Sequence, residues 1–140
     1  MFKTDGIKLL FNGQSVYEAP GDIYEIVYQD ETKAVFNYDS LGYAEKLGLM
    51  EGPREMWLHI INADDFKLIN QNVLCIDKNG HEVWRIESPV KNDRRPDSFI
   101  YVVNNKDTSG RWLAVTHLGH ECELDIHTGK LSNIRHYAVK

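Results

Sequence analysis

Ile76-Asp77-Lys78-Asn79-Gly80-His81-Glu82-Val83-Trp84 and Leu124-Asp125-Ile126-His127-Thr128-Gly129-Lys130-Leu131 are the two stretches on which the fold reading turns. Each runs from an apolar residue through an aspartate and a polar turn to a glycine and a return segment. An aspartate carboxylate accepts the N–H groups of the turn that follows it, and glycine supplies the positive φ that starts the return strand. Both stretches are therefore read as strand–turn–strand units, Ile76-to-Ile86 and Leu124-to-Ile134.

The same alternation extends outward in both directions, broken by turn residues at the spacing of a β-meander. Downstream, strands are expected at Phe99 to Val103, Arg111 to His117, His120 to Ile126 and Lys130 to Val139. Upstream, Asn72 to Asp77 leads into the first unit. Ile7 to Phe11 and Ser15 to Glu18 flank Asn12-Gly13, a hairpin dipeptide in which both residues tolerate positive φ. Ile23 to Tyr28 and Lys33 to Tyr38 form a second expected hairpin. Between Asp39 and Pro53, Leu41, Ala44, Leu47 and Leu49 make an imperfect helical stripe after Ser40, read as a short helix or a loop. Met56 to Ile61 reads as a strand, Phe66 to Ile69 as a short strand or the approach to the next, and Ser88 to Asp97 as a polar loop.

The expected fold is mainly β, with antiparallel meander or sandwich-like sheets and at most one or two short helices. No composition break divides the chain. It is read as a single domain, 1–140, with N-terminal hairpins over 7–38, a helix or loop over 39–53 and a C-terminal meander over 56–139. Its 140 residues are 42% hydrophobic and 26% charged, the balance of an ordinary globular domain. No uncharged apolar run approaches the roughly 20 residues that span a bilayer, so no membrane association is expected. The opening Met1-Phe2-Lys3-Thr4-Asp5-Gly6 lacks the basic start of a signal peptide, which gives a cytoplasmic reading. Cys75 and Cys122 are then two free thiols. A net charge of -5 disfavours nucleic acid and favours a basic protein partner.

The fuller pattern Asp77-x-x-Gly80-x-x-x-Trp84 resembles the blade motif of quinoprotein-like β-propellers, and Asp77 and Asp125 stand 48 residues apart, as blades do. It departs from that motif at Asn133, where the second unit places no tryptophan, and two blades do not close a propeller. No quinone, and no other cofactor, is expected. With its Asp125-x-x-Thr128-Gly129-Lys130 ending, the whole chain is similar to small, uncharacterised bacterial β-proteins, some of which act as immunity proteins beside toxins. That resemblance implies a non-enzymatic module that binds a protein.

Two clusters are candidate sites. A two-residue Leu118-Gly119 turn places His117 opposite His120 and on one face with Cys122, Leu113 and Val115; zinc accepts that ligand set, although the spacing matches no zinc-finger pattern. The other face then carries Glu121, Glu123 and Asp125 beside Thr116, Ala114 and Trp112, an acidic docking surface with an aromatic anchor. Its plainer reading is a solvated face that guards a strand edge. Trp84 and Trp57 are read as core residues, and Lys91, Arg94 and Arg95 as a solvated loop. Catalytic signatures are missing: no Gly-x-Ser-x-Gly elbow, phosphate loop or dinucleotide fingerprint occurs. His81-Glu82 and His120-Glu121 lack a second histidine four residues on, where Arg85 and Leu124 stand. Glutamates beside Cys122 favour its thiol over the thiolate, which opposes nucleophilic chemistry. Three functions follow in order: an immunity-type protein-binding module, a metal-binding or enzymatic domain on His117, His120 and Cys122, and a structural β-module whose ligand is not legible.

Overall fold

A computed structural model describes residues 2–5, 8–19, 33–40, 65–89, 97–104 and 112–136. Strand β5 (Val73–Asp77) lies at its centre, paired antiparallel with β4 (Lys33–Asn37) on one side and β6 (Glu82–Arg85) on the other. Cys75 faces Val35 across one ladder and Trp84 across the other. Side chains alternate along a strand, so this sheet offers two faces, and here both are apolar. Val35, Val73, Cys75 and Trp84 enter one core; Ala34, Phe36, Leu74 and Ile76 enter a second. A strand buried on both faces reads as a continuous apolar run, as Val73-Leu74-Cys75-Ile76 does.

The second core is closed by a three-stranded sheet of β1 (Phe2–Thr4), β2 (Leu9–Phe11) and β3 (Gln14–Tyr17). Asn12 and Gly13 turn β2 into β3 with φ of 49° and 83°. Phe2, Leu9, Phe11 and Tyr17 pack down onto the middle sheet, with the Tyr17 ring edge-on to Phe36 at 5.9 Å. The first core is closed by a four-stranded meander of β7 (Phe99–Asn104), β8 (Trp112–Thr116), β9 (His120–Leu124) and β10 (Leu131–His136). Phe99, Val102, Trp112, Ala114 and Leu124 supply its inner face. The three antiparallel sheets thus stack in three layers, and the architecture is mainly β as expected.

Two expectations meet outcomes that differ from the sequence reading. Phe66 to Ile69, read as a short strand or the approach to one, belongs to helix α1 (Asp65–Asn70), a segment too short for helical periodicity to show. Lys33 to Tyr38 does form a strand, but among the described residues its partner is β5, some forty positions away in sequence. The expected strands at 23–28 and 56–61 lie outside the described residues, as does the helix or loop at 39–53 beyond Asp39 and Ser40.

Side-chain amides join the middle layer to the meander. Asn72 accepts the Phe99 N–H at 2.8 Å through Oδ1 and donates through Nδ2 to the Phe99 carbonyl at 2.9 Å and the Tyr38 carbonyl at 2.8 Å. It thereby occupies the ladder position that a neighbouring strand would fill beside β7. Asn37 adds a bond to the same Phe99 carbonyl, and Asn70 Oδ1 accepts the Asp97 N–H. Asn37, Asn70 and Asn72 are all buried, where an unmade hydrogen bond costs about 1–3 kcal/mol.

Candidate functional site

The β8–β9 hairpin carries most of the residues singled out in the sequence, and its register distributes them. Val115 pairs with Glu121, Ala114 with Cys122, Leu113 with Glu123 and Trp112 with Leu124. The loop is therefore His117-Leu118-Gly119, one residue longer than the expected Leu118-Gly119 turn. A one-residue slip exchanges the faces of a strand. Trp112, Ala114 and Thr116 consequently share the inner face with His120, Cys122 and Leu124, all buried. Glu121 and Glu123 lie on the outer face with Leu113 and Val115. Trp112, expected as the aromatic anchor of the acidic surface, is instead a core residue. Asp125 also leaves that surface: it lies beyond β9, and its carboxylate accepts the His127 N–H at 2.8 Å within its own turn.

The longer loop is held by a buried polar cluster. Asp97 Oδ1 accepts the Leu118 N–H at 2.7 Å, and Oδ2 accepts the Thr116 hydroxyl at 3.0 Å and His120 Nδ1 at 2.7 Å. A carboxylate only accepts, so the His120 proton lies on Nδ1. Thr116 Oγ1 in turn accepts the His120 backbone N–H at 3.0 Å. The His136 ring stacks on that of His120 at 4.3 Å and donates from Nε2 to the Leu118 carbonyl. His117 projects outward and is exposed. The expected convergence of His117, His120 and Cys122 does not form, because the loop register sends His117 away and Asp97 takes the His120 Nδ1. Among the described residues, no three histidine, cysteine or acidic side chains converge as a metal site. Burial, with Asp97 and Glu121 adding to it, pushes the Cys122 thiol up to about 12. A thiol held protonated in that way is a poor nucleophile.

The outer face is organised in two ranks across the sheet. Tyr101, Val115, Glu121 and Arg135 are successive partners in one, and Val103, Leu113, Glu123 and Ser132 in the other. The β7 and β8 half is apolar and the β9 half acidic. Tyr101 and Val103 are 39% and 36% exposed, with Ile100 beside them at 39%. Asn133 Nδ2 donates to Glu123 at 2.8 Å. Of these residues only the glutamates were legible as surface candidates; Tyr101, Val103, Leu113 and Val115 read as ordinary strand residues until the register fixed their direction. Asp97, within an expected loop, gave no sequence signal for its role.

The two sequence units interlock next to this hairpin. Trp84 of the first donates its indole N–H to the Ile126 carbonyl in the turn of the second at 3.0 Å. Glu87 N–H reaches the Gly129 carbonyl, and the Glu87 carboxylate accepts the Leu131 N–H. Asn133, standing at the second unit's tryptophan position, takes φ of 47° at an irregularity of β10, a conformation asparagine tolerates and tryptophan disfavours.

These features define a protein of three stacked antiparallel sheets with an amphipathic outer face. Residues 55–136, more than half of the chain, match the family described as Domain of unknown function (DUF7957), and the chain belongs to that family. Comparison with the curated proteins and with the solved structures returned no match.

Proposed function

We propose that this chain is a non-enzymatic protein-binding module, an inhibitor of the immunity type, which docks its partner on the outer face of the β7–β10 sheet. The observation that carries the reading is the coincidence of Tyr101 and Val103, each more than a third exposed, with Glu121 and Glu123 on the same two ranks. Apolar groups at the centre of an interface supply affinity, and charges at its edge steer encounter and fix orientation. With an overall charge of -5, the surface suits a basic partner. The raised Cys122 thiol disfavours a cysteine nucleophile at this hairpin.

The reading is tested with the purified product of the adjacent reading frame. Replacing Glu121 and Glu123 by lysine is expected to slow association about tenfold at low salt, with the difference shrinking as salt rises. Tyr101→Ala is expected to speed dissociation. An unchanged association rate in the first variant, with an unchanged dissociation rate in the second, would remove the outer face from consideration.

A further inference from the structure

We infer that the occupant of the outer face is an amphipathic α-helix of the partner, carrying lysine or arginine along one flank and lying parallel to β8. The inference rests on the binding role proposed above and specifies its partner. Two observations support it: the shape of the apolar band and the spacing of the acids beside it.

The apolar band is two strands wide, with Tyr101 and Val103 on β7 and Leu113 and Val115 on β8. Neighbouring strands lie about 4.8 Å apart, so with its side chains the band approaches the roughly 10 Å diameter of a helix. Glu121 and Glu123 flank it on β9, directly opposite Val115 and Leu113. Two residues apart on a strand, they repeat at about 6.8 Å, close to the rise of about 6 Å between helical residues four apart. A helix seated on the band with cations at i and i+4 therefore meets both carboxylates at once. Arg135 stands on the far side of Glu121 and closes the acidic strip on its outer side.

Charge also disfavours a second copy of this chain. Two such faces stacked together bring the glutamates of one against the glutamates or the apolar band of the other, so that like charges oppose or carboxylates lose water.

Two synthetic helical peptides of about 20 residues test the inference. Both carry leucines at i, i+3, i+4 and i+7; one has lysines along one flank, the other glutamates. The lysine peptide is expected to bind the full chain at least about tenfold more tightly than the glutamate peptide. The Glu121→Lys/Glu123→Lys variant is expected to reverse that order, and Tyr101→Lys to weaken binding of the lysine peptide, while each variant keeps the thermal midpoint of the parent. A proline placed mid-peptide breaks the helix without altering the flank charges. If that peptide binds as well as its parent and Tyr101→Lys still abolishes binding, the helical occupant is wrong although the face is right. If both peptides bind equally, or neither responds to any of the three substitutions, the face itself is wrong. A dimer in sedimentation that Tyr101→Lys dissolves would assign the face to a second copy and overturn the inference.

Discussion

Gly129 stands at φ of 77° with the Trp84 ring so close that an added Cβ would lie 2.5 Å from it. Alanine there meets both a strained backbone and a buried indole, and Gly129→Ala is expected to cost about 3 kcal/mol or more in urea unfolding. Gly13 has a similar φ of 83°, but an added Cβ there would meet nothing within 4 Å, so Gly13→Ala isolates the backbone contribution at about 1 kcal/mol. Equal losses in the two variants would mean that Trp84 does not press on the second turn. The glycines were legible in the sequence as turn formers. That the second must also receive the tryptophan of the first was not, because the contact joins residues far apart in the chain.

At the scale of the element, the β8–β9 hairpin shows where local reading stops. Alternation located both strands, yet the face each residue occupies depended on one loop residue. The choice was made by Asp97, whose carboxylate fixes the Leu118 N–H, and by Thr116, whose hydroxyl fixes that of His120. Thr116→Val keeps the volume and removes the hydroxyl. It should destabilise the fold by about 1–3 kcal/mol, read from the denaturant midpoint, because the buried His120 N–H loses its acceptor. The β5–β6 turn gives a pH test. The His81 N–H bonded to the Asp77 carboxylate is the largest influence holding that group below its ordinary 3.8; the Asn79 N–H assists, and burial opposes. A depressed carboxylate stabilises the fold above its unfolded value and loses that contribution as pH falls through the folded one. Asp77→Asn is therefore expected to lower the thermal midpoint at pH 7, with the gap to the parent closing below about pH 4. A constant gap across that range would show that ionisation of Asp77 contributes nothing.

For the whole molecule, the hairpins and the meander were readable because their partners are sequence neighbours. The layering was not: β4 pairs with β5 across some forty residues, and periodicity within a strand carries no record of a remote partner. The outer face shared that fate, since its composition follows from register. The family match begins at residue 55 and so omits β1 to β4. A 55–136 fragment would bare Leu74 and Ile76, which in the full chain lie beneath Phe2 and Leu9 and beside Phe36. Such a fragment is expected to bind a hydrophobic dye and to lack a cooperative thermal transition, whereas the full chain shows the reverse. A sharply melting, dye-silent fragment would show that the two outer layers are energetically separate.

The doubly buried middle sheet has one more consequence, for how the chain finds its pairing. Where one face is wet, a shifted strand announces itself by drowning its apolar residues and drying its polar ones. Val73-Leu74-Cys75-Ile76 gives no such alarm from its own side chains, since both of its faces meet an apolar core. Discrimination among near-equivalent alignments falls to the few polar groups at the strand ends. Asn72, matched to Phe99 and Tyr38, is satisfied in only one of them. In that sense the buried amides act as the proofreading step of folding, rejecting competitors that hydrophobicity alone leaves nearly degenerate.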